Sequence, residues 1–225
     1  MRNRQRWITG TLAAVAAAAG VACTASNTDR QALAQGFAQY QARQFDEAEA
    51  AASAYLAKYP TAEDADEAYY LRGLARLGRG DKGGAAQDLT TAIDKSRRND
   101  LKAKAWRVLG DIAYDGVRFA EARTDYQNSL AINAPDAADK SYVNYRLGVV
   151  LQNQGLWEQA RPYLDKAAAS GDATFAQRAR DRAGLRYFTL QFGAFRDTAN
   201  ANSLARELKA AGIDAGVFPE SHDGQ

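Results

Sequence analysis

Apolar and polar positions follow one period through most of this chain and another near its end. Four similar stretches fill residues 29–170. In the fourth, Tyr145 with Val149 and Leu147 with Leu151 recur at helical spacing, a turn follows at QNQG ending in Gly155, and Trp157, Ala160, Leu164 and Ala167 mark a second helix. The pattern then changes. In RYFTLQFGAFRD, Arg186 to Asp197, side chains alternate, with Phe188, Leu190 and Phe192 on one face and Tyr187, Thr189 and Gln191 on the other. That is the period of a strand. DTANANSLARELKAAG reads as a helix opening near Asp197 or Thr198 and closing at Gly212, with Ala201, Leu204, Ala205 and Leu208 on one side. IDAGVF, Ile213 to Phe218, predicts a second short strand stopped at Pro219.

The four stretches share a register. Gly36, Gly73, Gly110 and Gly148 are spaced 37, 37 and 38 residues apart, and an alanine follows each by twelve residues, at Ala48, Ala85, Ala122 and Ala160. A repeat of this length built from two helices and a turn is the signature of a stacked array. Glycine inside a helix costs about 1 kcal/mol against alanine, so its recurrence calls for a packing reason. Facing a small alanine, it lets two helix axes approach closely. After the fourth copy, GDATFAQRARDRAGL predicts a further helix, Ala173 to Ala183, started by Asp172. It would cover the open apolar end of the array. The basic cluster Arg178, Arg180 and Arg182 then reads as a solvated face.

These residues resemble the tetratricopeptide repeat. Trp106, Leu109, Gly110, Ala122 and Tyr126 meet its pattern in the third copy, Gly36, Ala48 and Pro60 in the first, Gly73, Ala85, Leu89 and Ala92 in the second, and Leu147, Gly148, Ala160, Leu164 and Ala167 in the fourth. The period exceeds the usual 34 residues, and Tyr40 and Tyr114 fall one residue late for the pattern's tyrosine. The segment Ala54 to Gly73 is also similar to repeats of periplasmic lipoproteins in envelope assembly and cell division. The resemblance implies a right-handed superhelix with the first helix of each pair lining its concave wall. On that geometry Phe37, Tyr70, Leu74, Arg107, Asp111, Tyr114, Tyr142, Tyr145 and Gln152 face a groove for a protein segment. Tyrosine and arginine are effective anchors there because they join large contact area to hydrogen-bonding ends.

Strand, Gln-x-Gly-Ala-Phe, helix and second strand resemble the first half of a SPOR domain, carried by Gln191, Gly193, Ala194, Phe195, Asn200, Ala201, Leu204, Leu208 and Gly212. That family binds septal peptidoglycan, so the resemblance implies glycan contacts by Tyr187, Gln191, Phe195 and Arg196. A whole domain repeats strand, helix and strand, and a strand of the second half lies between the two predicted here. The expectations are a degenerate unit, two chains completing one sheet as a homodimer, or a truncated product.

Composition and charge narrow the partners. Alanine is abundant and only four prolines occur, which favours helices. The formal net charge of +2 drops to about −1 without Arg2, Arg4 and Arg6, so no basic excess points to nucleic acid. Those arginines open MRNRQRWITGTLAAVAAAAGVAC, whose apolar stretch is too short to span a bilayer and reads as an export signal. Cys23 at its end resembles the lipidated cysteine of a bacterial lipobox, although Gly20 stands where a large aliphatic residue is usual. Simple cleavage, for example after Ala25, is the alternative.

Catalytic groups are few. Cys23 is the only cysteine and His222 the only histidine, so neither a Cys/His metal cluster nor a histidine-based triad can be built within the chain. GRGDKGG, Gly78 to Gly84, sits at a turn and lacks a phosphate-loop ending, while Glu63, Asp64, Asp66 and Glu67 lie at a helix start where they favour the dipole. No cofactor is implied.

The sequence therefore predicts a mostly α protein. Residues 1–23 form a signal, 24–28 a linker, 29–170 a solenoid of about four helix-turn-helix repeats and 171–185 a capping helix; 186–219 form a small α+β (βαβ) half-SPOR unit and 220–225 a tail. The function expected is a non-enzymatic, exported scaffold of the periplasm and cell envelope, lipid-anchored to a membrane, that holds a protein partner and peptidoglycan. The alternative is a pure interaction adaptor whose last unit is vestigial.

Overall fold

A computed structural model describes residues 25–132, 137–184, 198–211 and 217. The chain divides into two compact units, Met1–Ala183 and Gly184–Gln225. In the first, four helix pairs follow in order: α1 (Asn27–Gln41) with α2 (Phe45–Lys58), α3 (Ala65–Gly78) with α4 (Lys82–Lys95), α5 (Asn99–Asp115) with α6 (Phe119–Ala131), and α7 (Ala137–Asn153) with α8 (Trp157–Ala168). A single helix, α9 (Ala173–Ala183), follows them, and the Asp172 carboxylate accepts from the Thr174 and Phe175 amides at its start.

The glycine register explains the close pairing. A Cβ built on Gly73 would lie 3.2 Å from the Ala85 carbonyl, and one on Gly148 3.5 Å from that of Ala160, so the first helix rests on its partner's backbone. The side chain one turn after each alanine fills the remaining space: Leu89, Tyr126 and Leu164 each come within about 3 Å of the missing Cβ. Ala48, Ala85, Ala122 and Ala160 are all fully buried.

Each pair turns in the same way. Seven residues after each glycine, Arg43, Gly80, Val117 and Gly155 adopt positive φ of 61°, 89°, 57° and 75°. The next amide reaches back five residues, from Gln44 to Gln39, Asp81 to Arg76, Arg118 to Ala113 and Leu156 to Leu151, at 2.8–2.9 Å. This closes the last turn of the first helix with a Schellman bond and launches the second.

Neighbouring helices touch in sequence, and in addition α1 touches α3, α3 touches α5, α5 touches α7 and α7 touches α9. Among the described residues the second helices of the pairs do not touch one another. The first helices therefore occupy the tighter, inner side of the stack. Three buried clusters run along it, centred on Leu71, on Leu89 and on Tyr126 with Leu147 and Leu164.

In the second unit α10 (Thr198–Ala210) is the described element. Its half-buried positions are Ala201, Ser203, Leu204, Ala205 and Leu208, with none fully buried. Here the expected fold class is corrected. Every element among the described residues is a helix, no βαβ unit is present, and Val217, inside the second predicted strand, is not in one. Two short strands lacking the one that belongs between them would leave unpaired edges and bury little, which the alternating pattern alone could not reveal. The rest of both predicted strands lies outside the described residues.

Candidate protein-binding wall

The inner helices present side chains at fixed offsets from the repeat glycine. Three residues before it stand Tyr70, Arg107 and Tyr145; one residue after it, Phe37, Leu74 and Asp111. The first half of the wall is closed by packing. Phe37 rests half-buried on the first core cluster, Tyr70 on the second, and Leu74 is 8% exposed within it. The second half, where α5, α7 and α9 adjoin, is polar.

Asp111 on α5 is its centre. Its Oδ1 accepts the Tyr126 hydroxyl at 2.7 Å and the Tyr142 hydroxyl at 2.6 Å, and Oδ2 accepts Arg107 Nη1 at 3.3 Å. Arg146 Nε stands 3.5 Å from Oδ1. The Arg146 guanidinium lies 4.1 Å over the Tyr114 ring and 5.5 Å from that of Tyr142, which Arg107 approaches to 5.6 Å from α5. Phe175, from α9, meets Tyr142 edge-on at 5.2 Å and Tyr145 at 5.9 Å. Aromatic faces under guanidinium planes hold both groups in place.

Burial raises the Tyr126 and Tyr142 phenols above the usual range, and the Asp111 carboxylate raises them further. Both remain hydrogen-bond donors. Burial works against the Arg146 charge, but Tyr126, Tyr142 and Asp111 outweigh it and hold the side chain protonated.

Five of the nine expected wall residues thus converge: Arg107, Asp111, Tyr114, Tyr142 and Tyr145. Gln152 does not join them. It is 2% exposed and its amide donates to the Arg182 carbonyl at 3.0 Å, tying α7 to the end of α9. Sequence reasoning missed Tyr126, Arg146 and Phe175 as members of the group. Tyr126 was legible as a core position of its repeat, but its hydroxyl reaches through the helix pair to the inner side. Arg146 lies two residues before the repeat glycine, off the main wall offsets, and Phe175 belongs to a helix outside the repeat pattern.

Cys23, Tyr187, Gln191, Phe195 and Arg196 lie outside the described residues, as do His222 and the rest of the tail. Among the described residues no group of His, Cys, Asp or Glu could hold a metal ion, and no helix is long and apolar enough to cross a membrane.

Three family models match the chain. An outer membrane lipoprotein family, YfiO, covers residues 23–103, a tetratricopeptide repeat residues 84–138, and the SPOR domain residues 184–225. Among solved structures, the MamA protein is 21% identical, with 85% of this chain and 98% of that chain covered and a TM-score of 0.54. PilF of Pseudomonas aeruginosa is 14% identical, with 83% and 86% covered and a TM-score of 0.53. At these identities the likeness speaks for the fold. No curated protein matches. Helix pairs in register and their shared turn agree with the tetratricopeptide-repeat match over residues 84–138, and the C-terminal segment, residues 184–225, is similar to the SPOR domain.

Proposed function

We propose that the protein is a scaffold of the cell envelope that binds a protein segment on its inner helical wall and peptidoglycan through its C-terminal segment. The observation that carries this reading is the cluster around Asp111, where large aromatic and arginine side chains, partly open to solvent, are held rigidly by packing and hydrogen bonds. Such pre-organised anchors lose little entropy on binding. The SPOR match supports glycan contact by Tyr187, Gln191, Phe195 and Arg196, which would place the scaffold at division sites.

Export and lipid anchoring at Cys23 are supported by the outer membrane lipoprotein match, which begins at that residue. A second support is the start of the fold. Ala25 is 6% exposed within the first core cluster, and the Ser26 hydroxyl caps α1 by accepting the Asp29 amide at 3.1 Å. Cleavage after Ala25 would remove a core side chain and set a positive amino group against the positive end of the helix dipole.

Co-sedimentation of the chain with purified sacculi, with and without removal of stem peptides, tests the glycan contact. Pelleting that strengthens on stripped sacculi and is lost in Gln191→Ala supports it. A chain that never pellets, yet still binds protein, would leave a pure adaptor, the reading favoured by α10 burying none of its side chains completely.

A further inference from the structure

We infer that the junction of α5, α7 and α9 is a carboxylate-binding site, and that the protein segment held on the inner wall presents an acidic side chain to Arg146 there. This rests on the reading of that wall as protein-binding. The Asp111 carboxylate is shared among four groups: it accepts two phenol hydroxyls and Arg107 Nη1, and it stands 3.5 Å from Arg146. Arg146 receives least from it. Its Nε is enclosed with no hydrogen-bond partner, since 3.5 Å to Asp111 is ion-pair distance without hydrogen-bond geometry.

The other arginine cluster of the repeats is served differently. Between α2, α3 and α4, Arg72, Arg76 and Arg79 each donate at least one hydrogen bond to the carboxylate of Asp88 or Glu49. An arginine that meets its carboxylate only at ion-pair distance therefore marks a difference between two clusters of similar make-up. Its side is open: the Arg146 and Asp111 side chains are 21% and 19% exposed. A guanidinium plane stacked on Tyr114 and beside Tyr142 is set for a planar carboxylate, which it binds through paired N–H groups. A basic segment would meet like charge. Tyr145 and Phe175 beside the cluster provide an apolar contact next to the acid.

The test uses two fluorescent octapeptide pools with identical random flanks, one with a central Glu-Phe and one with Gln-Phe, read by anisotropy on the full chain. The Glu pool is expected to bind at least tenfold more tightly, with the advantage shrinking as salt rises. In Arg146→Gln, and separately in Arg146→Lys, the advantage falls below threefold. Because the Glu/Gln comparison is made on the unaltered protein, a variant that folds poorly does not decide the matter. Equal binding of both pools overturns the carboxylate site while leaving protein binding standing; binding of neither overturns both.

Discussion

The Tyr126 ring occupies the space left by the missing side chain of Gly110: a Cβ there would lie 2.6 Å from the ring's Cε1. Tyr126 is fully buried and its hydroxyl is fixed on Asp111, so the ring cannot swing aside without breaking that bond. Gly110→Ala is expected to destabilise the protein by about 3 kcal/mol through overpacking. Gly83→Ala, on the exposed start of α4 with only Asp81 at 3.8 Å, is expected to be neutral or stabilising by about 0.5 kcal/mol. Urea unfolding followed by circular dichroism separates the two; equal effects would refute the close-contact account.

The shared turn makes a second prediction. Val117 holds a left-handed φ of 57° with a β-branched side chain that is 69% exposed, where the equivalent residues Gly80 and Gly155 carry no such strain. Val117→Gly should raise stability by about 1 kcal/mol, because relief of that strain outweighs the little packing an exposed valine provides. A fall in the unfolding midpoint would contradict this.

Asp88 and Asp125 stand at the same repeat position, three residues after the alanine, and fare oppositely. Asp88 is buried and held by Arg72 at 2.7 and 2.9 Å and Arg76 at 2.9 Å. Asp125 has its pKa pushed up to about 6 by burial and then by Glu121, with Arg118 only partly offsetting them. A carboxyl raised in the folded state favours folding while protonated, so this contribution is present below the ordinary aspartate value and is lost as pH rises through about 6. Asp125→Asn should therefore stabilise at pH 8 by about 1 kcal/mol, allowing for its partial exposure, and bring no gain at pH 4. Asp88→Asn should destabilise at pH 8 by about 3 kcal/mol by taking from two arginines the acid they share. Thermal melts of both variants at the two pH values check the signs.

The repeat was legible because its glycine and alanine are fixed by backbone contact, which tolerates few other residues. The turn was half legible: Gly80 and Gly155 mark it, whereas Arg43 and Val117 hide the same conformation behind residues that rarely adopt it. The wall was legible where a single helix sets the direction of a side chain, as for Arg107 and Asp111. It was not where tertiary contact decides, since Gln152 is covered by α9 and Arg146 is drawn to Asp111 by charge. Alternation in Arg186 to Asp197 gave a local preference for strand, but a sheet needs partner strands, which no local pattern contains.

Mass spectrometry of the mature N-terminus tests the start of the fold. A diacylglyceryl group on Cys23 is expected, keeping Ala25 in the first core cluster. A chain beginning at Ser26 would overturn the anchor.

The most direct test of the scaffold is photo-crosslinking in cells from the full chain, with a benzophenone amino acid at Tyr145 on the inner wall or at Thr90 on the exposed side of α4. A discrete adduct with another protein from Tyr145, absent from Thr90, is the result predicted. No adduct from Tyr145, or the same adducts from both positions, would contradict a protein-binding inner wall.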